Sequence, residues 1–201
     1  VHVAYPLRAL ISTAVIVAVW KRLPKFRLTA PWAALGVGAL VAVLWVVADP
    51  WFPWLDMGGW KFTFERPKGY NPFAPVEQLT EPLAWAFCVV RILAGAVVVG
   101  ICEELFWRGW LMRYLIKPDF EQVPMGTFEW RSFAITTVAF AAVHPQLLLA
   151  IPVGVIYGLF FVWRRNVWDV VLAHAFTNFV LYSWVVWAGR VKGMPVWYFW
   201  P

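Results

Sequence analysis

Residues 83–108 read LAWAFCVVRILAGAVVVGICEELFWR. Between Leu83 and Cys102 the only charged residue is Arg91. The apolar run is therefore as long as the roughly 20 residues that an α-helix needs to cross a bilayer. It ends in two adjacent acids, Glu103 and Glu104. This stretch predicts a transmembrane helix that carries carboxylates at one end.

Similar apolar runs occupy most of the remaining chain, at about 5–21, 32–49, 131–149, 150–163 and 167–188. The composition agrees, since 62% of the residues are hydrophobic and 14% are charged, against about 45–50% and about 25% in soluble domains. The sequence therefore predicts an all-α fold. We expect a polytopic membrane helix bundle with about six transmembrane helices, forming a single transmembrane domain over residues 1–201.

The short loops carry the basic residues that give the net charge of +6. The loop after the first run contains Lys21, Arg22, Lys25 and Arg27 and no acid, which predicts a cytoplasmic position. Alternation then places 50–82 outside, 104–130 inside and the tail outside. We interpret the charge as a topology signal and expect no nucleic-acid partner. The loop at 50–82 is interpreted as a plain connector, with a cap over a site as the alternative.

The acids at the end of the central helix differ in their local partners. Glu104 and Arg108 are four residues apart, so they face the same side of a helix and can pair. Glu103 points about 100° away and has no local partner, which leaves its carboxylate free to act as a general base. A charge at the bilayer centre costs roughly 2.5–3.5 kcal/mol, so each one calls for a reason. An ordinary acidic helix end is the alternative.

Two further helices carry histidines at membrane depth. His144 precedes Pro145, which disrupts a helix and frees carbonyl groups beside the imidazole. His174 and Asn178 are four residues apart and share one face, where they could orient a water or an oxyanion. The structural alternatives are a core histidine bonded to a carbonyl group for His144, and an interhelical polar clamp for His174 and Asn178. Taken together, three helices with acids and histidines favour catalysis. The rival hypotheses are a proton-coupled transporter and a non-catalytic scaffold or immunity protein.

These residues resemble the motif set of the CAAX protease and bacteriocin-processing family of intramembrane proteases. That family carries E-E-x-x-x-R, F-x-x-x-H and H-x-x-x-N on successive membrane helices. The matching segments here are Glu103-Glu104-x-x-x-Arg108, Phe140-x-x-x-His144 and His174-x-x-x-Asn178. The likeness covers about 83–188, which we take as the catalytic helical core. Other segments look like the exosortase-associated members of bacteria: Tyr5-Pro6-Leu7-Arg8, His144-Pro145-Gln146 and Trp168-Asp169.

The resemblance implies an intramembrane endopeptidase of the bacterial inner membrane. Glu103 would activate water, His144 would hold that water, and His174 with Asn178 would stabilise the oxyanion. Glu104 and Arg108 would be a supporting pair. The substrate would be a membrane-associated polypeptide of an exosortase-type sorting system. In the similar proteins earlier helices precede the Tyr-Pro-Leu-Arg segment, which implies an N-terminal truncation and eight helices in the full-length protein.

The family is described both as metal-dependent and as metal-independent. Glu103, His144 and His174 could ligate a divalent metal such as zinc, but no His-Glu-x-x-His is present. We favour the metal-independent reaction and assign no cofactor. Because Glu103 and Arg108 lie near the end predicted to be cytoplasmic, we expect the cavity to open on that side. Asp169 is predicted to cap the last helix.

Overall fold

The computed structural model describes residues 1, 3–56, 61–67 and 69–200. Six helices account for most of it, and they are numbered here in chain order: α1 (Ala4–Val19), α2 (Pro31–Ala48), α3 (Glu81–Tyr114), α4 (Trp130–Ala142), α5 (Leu147–Arg164) and α6 (Val167–Val186). A two-stranded antiparallel sheet joins β1 (Trp54–Asp56) to β2 (Lys61–Thr63). Short 3₁₀ turns extend α1 and α2 and include Trp197–Phe199 in the tail. The prediction of an all-α polytopic bundle is confirmed.

Five helical stretches are long and apolar enough to cross a membrane, as expected of an integral membrane protein: Ala4–Arg22, Pro31–Trp51, Glu81–Tyr114, Leu147–Arg164 and Val167–Val191. The predicted span at 131–149 is wrong in its length. Helix α4 has only 13 residues and ends at Ala142, because Pro145 cannot continue it. The residues at 147–149 belong instead to α5.

Helix α3 is continuous but contains two wider π-helical segments, Ala94–Val99 and Leu105–Leu111. Such segments displace carbonyl groups from the regular ladder and often occur at functional sites. Glu103 and Glu104 lie between them. The wide turns therefore bracket the predicted acids.

Helices α2 and α6 approach each other closely at Gly38. A Cβ atom on Gly38 would lie 2.5 Å from the carbonyl oxygen of Ala173. This distance is too short for any residue with a side chain at position 38. Small residues allow this kind of backbone approach in membrane bundles. The contact brings α6 against the centre of the bundle.

Asp169 lies in the first turn of α6, as predicted, but it does not make the capping hydrogen bond. The cap of α6 is Asn166, whose side chain accepts a hydrogen bond from the Trp168 backbone N–H. The buried Asp169 carboxylate instead accepts hydrogen bonds from the N–H groups of Thr29 and Ala30, at 2.8 and 3.2 Å. It therefore fastens the loop before α2 to the first turn of α6, a contact between segments 140 residues apart.

Glu129 caps the first turn of α4. Its two carboxylate oxygens accept hydrogen bonds from the backbone N–H groups of Ser132, at 2.7 Å, and of Arg131, at 3.1 Å. These bonds, that of Ser132 most strongly, hold the pKa of Glu129 below its ordinary value. A carboxylate at a helix N-terminus also interacts favourably with the helix dipole.

We expect Glu129→Ala to lower the apparent Tm of the detergent-solubilised protein, since it removes this cap. Because the pKa of Glu129 is lower in the folded state, its stabilisation is complete above the ordinary value of 4.5. It is lost as the pH falls through the folded-state pKa. The Tm difference between parent and variant should therefore shrink in acid, whereas Glu65→Ala, at an exposed acid, should show no such trend. A difference that grows in acid would contradict the cap.

Candidate active site

A cavity of about 140 Å³ lies inside the bundle, and all four predicted catalytic residues line it: Glu103, His144, His174 and Asn178. They come from α3, from the turn between α4 and α5, and from α6. Residues that are separated by up to 75 positions in the chain thus meet at one place. This shared cavity is the geometric basis for treating them as one site. Their catalytic roles stay predictions.

Glu103 brings an unpaired carboxylate oxygen to this cavity. Its Oε2 atom is buried and has no hydrogen-bond partner among the described residues. Buried polar atoms are nearly always paired, so an exception in a cavity calls for an explanation. This oxygen is therefore available to a water or substrate group in the cavity.

The tautomer of His144 follows from its hydrogen bond. Its Nδ1 atom lies 2.7 Å from the carbonyl oxygen of Phe140. A carbonyl only accepts hydrogen bonds, so Nδ1 must carry the proton and donate. In the neutral ring Nε2 is then an acceptor. The carbonyl is available because α4 ends at Ala142, and the His144 N–H donates to Ala141 instead.

His174 belongs to a buried charged cluster that the sequence did not reveal. Its Nδ1 atom lies 2.7 Å from Oε1 of Glu104. Arg108 NH1 donates to both carboxylate oxygens of Glu104 at 2.9 Å. Glu104 and Arg108 are only 0% and 1% exposed. The predicted pair is therefore present, and Glu104 has the additional task of fixing the His174 ring so that Nε2 is left for the cavity.

Arg108 extends this cluster to the neighbouring helices. Its NH2 group donates to the carbonyl oxygen of Gly154 on α5, at 3.2 Å. Its guanidinium lies over the rings of Phe140 and Tyr157, at 4.7 and 5.6 Å from the ring centroids. Contacts of a cation with ring faces are favourable, and more so when water is excluded. Arg108 thereby joins α3 to α4 and α5 around the site.

Tyr157 is a site residue that we did not predict. Its ring stacks on His174, with centroids 5.1 Å apart and an interplanar angle of 24°. The Tyr157 hydroxyl donates to Thr177 Oγ1 at 2.7 Å, and Thr177 can donate to the Gly38 carbonyl at 2.9 Å. The only available signal was that Tyr157 is the one hydroxyl in the apolar run at 150–163.

Asn178 bonds to the backbone rather than only facing the cavity. Its Nδ2 group donates to the carbonyl oxygen of Gly95 at 2.9 Å. Gly95 lies in the first π-helical segment of α3, so this bond joins α6 to that segment. One amide N–H of Asn178 is thus engaged, and the second is available to a ligand.

The metal alternative does not fit the side-chain positions. Within the described part of the chain, no three His, Cys, Asp or Glu residues are placed to hold a metal ion. Glu103, His144 and His174 line one cavity but do not form such a group. We therefore derive no step through a metal.

The described lining of the cavity does not include the loops that were expected to be cytoplasmic, and the side of the membrane on which the cavity opens stays a prediction. Its described lining contains Trp54 from β1 and Phe199 from the tail, and no residue of the loops at 20–30 and 115–129. Trp54 and Phe199 lie at the end of the bundle that the loop charges place outside. The connector interpretation of 50–82 is therefore also incomplete, because this loop covers the cavity. Residues 57–60 and 68 of the loop lie outside the described residues.

Residues 84–180 match the family model described as Type II CAAX prenyl endopeptidase Rce1-like. The matched range is a little less than half of the chain and contains the four predicted catalytic residues together with Glu104 and Arg108. The match to this family implies that the chain is a protease. No curated protein and no solved structure is significantly similar to the chain.

Proposed function

We propose that this chain is an intramembrane endopeptidase that hydrolyses a peptide bond with water activated by Glu103. Two findings support the proposal: the match of residues 84–180 to the Rce1-like family, and the cavity that brings Glu103 and two histidines together inside an apolar bundle. The observation that carries it is the unpaired Oε2 atom of Glu103, in the same cavity as His144.

In this mechanism a water molecule lies between Glu103 and Nε2 of His144. Glu103 accepts one proton of the water as its oxygen attacks the scissile carbonyl carbon, and Nε2 of His144 accepts a hydrogen bond from the other. The new C–O bond converts the carbonyl into a tetrahedral oxyanion. Collapse of this intermediate breaks the C–N bond, and the proton held by Glu103 passes to the leaving amine.

His174 and Asn178 would stabilise the oxyanion. A protonated His174 ring can donate from Nδ1 to Glu104 and from Nε2 to the oxyanion. The free N–H of Asn178 supplies a second donor. Donors fixed in a water-poor site contribute about 2.7–4 kcal/mol each where they have been removed by mutation. Glu104, Arg108 and Tyr157 hold the His174 ring in place.

The substrate in this proposal is a membrane-associated polypeptide, cut near its C-terminus or within a membrane-embedded segment. The likeness to exosortase-associated proteins supports a place in a sorting system of the bacterial inner membrane. Prenyl-cysteine cleavage is not part of the proposal.

The test is to incubate the purified full chain with detergent-solubilised membrane proteins of its own source and to identify new C-terminal fragments by mass spectrometry. Fragments that form with and without a chelator would support the metal-independent peptidase. Fragments that disappear with the chelator would support a metalloprotease. No new fragments, together with pH-dependent solute flux in liposomes, would replace the proposal with the transporter hypothesis. If neither peptide hydrolysis nor solute flux is observed, the scaffold hypothesis remains.

A further inference from the structure

The hairpin formed by β1 and β2 is attached directly to the wall of the cavity. The Leu55 N–H donates to the carbonyl oxygen of Pro145 at 2.7 Å, so β1 is joined to the turn that carries His144. The neighbouring Trp54 lines the cavity and is only 4% exposed. A loop that merely connected two helices would have no reason to bury a tryptophan in this position.

One buried carboxylate holds this arrangement together. Asp49, at the end of α2, is 2% exposed. Its Oδ1 atom accepts from Trp54 Nε1 at 3.0 Å and from Gln146 Nε2 at 2.5 Å. Its Oδ2 atom accepts from the Tyr198 hydroxyl at 3.2 Å and pairs with Arg66 at 3.0 Å. Asp49 therefore connects the hairpin loop, the tail and the α4–α5 turn.

Aromatic rings fill the space around this carboxylate. Trp54 meets the rings of Tyr198 and Phe199 edge to face, with centroids 5.7 and 6.2 Å apart. With Trp45, also on the lining, Trp54 and Phe199 give the cavity an aromatic wall as well as the polar groups around Glu103. One part of the lining thus supplies reactive groups and another supplies apolar surface.

The size of the cavity limits what can enter. Its volume of about 140 Å³ is close to that of an engineered apolar cavity of about 150 Å³ that binds benzene. It is smaller than the roughly 300–1,000 Å³ of pockets that hold drug-sized ligands. The largest side chain that a space of this size accepts is about one aromatic ring.

We propose that Trp54 is a specificity-determining residue of this cavity, and that Asp49 positions it. Trp54 sets the largest side chain that the cavity accepts, and the accepted class is an apolar side chain of at most one ring. The inference rests on the proposed function only in taking the occupant to be part of a polypeptide. The size limit itself is a property of the cavity wall.

The size limit can be measured without peptide hydrolysis. Val99 lines the cavity, so Val99→Cys in a Cys88→Ala/Cys102→Ala background places one thiol there. The probes are methyl, benzyl and biphenylmethyl methanethiosulfonate, with labelling rates read by intact-protein mass spectrometry. In the Val99→Cys protein with Trp54 present, we expect the first two reagents to label and the two-ring reagent to label at least about tenfold more slowly, which corresponds to a barrier about 1.4 kcal/mol higher.

Adding Trp54→Ala should raise the rate with the biphenylmethyl reagent by at least about tenfold, with little change for the methyl reagent. Trp51→Ala is the matched control, because Trp51 lies in the same segment but is 69% exposed and outside the lining. Asp49→Asn keeps the volume of the side chain but removes the charge that pairs with Arg66. It should shift the rates in the same direction, since Trp54 is then less firmly held.

If Trp54→Ala does not give a monodisperse protein, the biphenylmethyl labelling rate of Asp49→Asn tests the size limit instead. Equal biphenylmethyl rates in the parent and in both variants would overturn the inference, and so would a thiol that no reagent reaches in any variant. Because labelling does not depend on turnover, a protein without peptidase activity could still show the size limit. An active peptidase could equally lack it, so the two proposals fail separately.

Discussion

Glu103→Gln should reduce peptide hydrolysis by roughly 10²–10⁴-fold, the contribution of a general base. The amide keeps the size of the side chain and can still contact water, but it cannot accept the proton that leaves the water. The measurement is the rate of fragment formation by the purified variant, determined by mass spectrometry under the conditions of the parent. Glu103→Ala should be inactive for the same reason.

The matched control is Glu121→Gln, which makes the same chemical change at an exposed acid away from the cavity. It should retain the parental rate. Both Glu103 variants should keep the apparent Tm of the parent or exceed it, because the Glu103 Oε2 atom has no bond to lose in the described structure. Full activity in either Glu103 variant would remove Glu103 from the role of base and leave the cavity without one.

The sequence alone predicted the features that depend on neighbours along the chain. Apolar length predicted the helices, and four-residue spacing predicted the Glu104–Arg108 pair. The prediction of one span over 131–149 failed. Hydropathy is continuous there, but Pro145 divides the run between two helices. Local geometry therefore overrode composition at the turn that positions His144.

Contacts between distant segments could not be predicted in this way. The bond from His174 to Glu104 joins residues 70 positions apart, and that from Asn178 to Gly95 joins residues 83 positions apart. In each pair one residue already had a predicted role: Glu104 as the partner of Arg108, and Asn178 as an oxyanion donor. The π-helical segment that contains Gly95 has no sequence signature in an apolar run of small residues.

The loop at 50–82, which covers the cavity, shows the same limitation. Many Pro and Gly residues at 50–82 correctly indicated irregular structure, and irregular structure was taken for a connector. Asp49 is the last residue of the predicted span at 32–49 and received no role. Its importance comes from its four partners, which approach from the hairpin loop, the tail and the α4–α5 turn. A single acid becomes informative only when those segments are placed together.

Glu104→Ala should be the most destabilising single change at the site. It leaves Arg108 buried and without its carboxylate, and breaking a buried ion pair from one side costs about 3–5 kcal/mol. For a chain of this size that corresponds to an apparent Tm lowered by roughly 6–20 °C, at about 2–4 °C per kcal/mol. The measurement is thermal unfolding of the detergent-solubilised protein. An unchanged Tm would contradict the buried cluster.

The double variant Glu104→Leu/Arg108→Met separates stability from positioning. Replacing both members of a buried ion pair by apolar residues of similar size is often neutral or stabilising, so most of the lost Tm should return. Peptide hydrolysis should not return, because Nδ1 of His174 then lacks the carboxylate that it contacts at 2.7 Å. Recovery of both Tm and turnover would instead make Glu104 purely structural. The orientation of His174 would then have to come from its ring contacts with Tyr157 and Phe140.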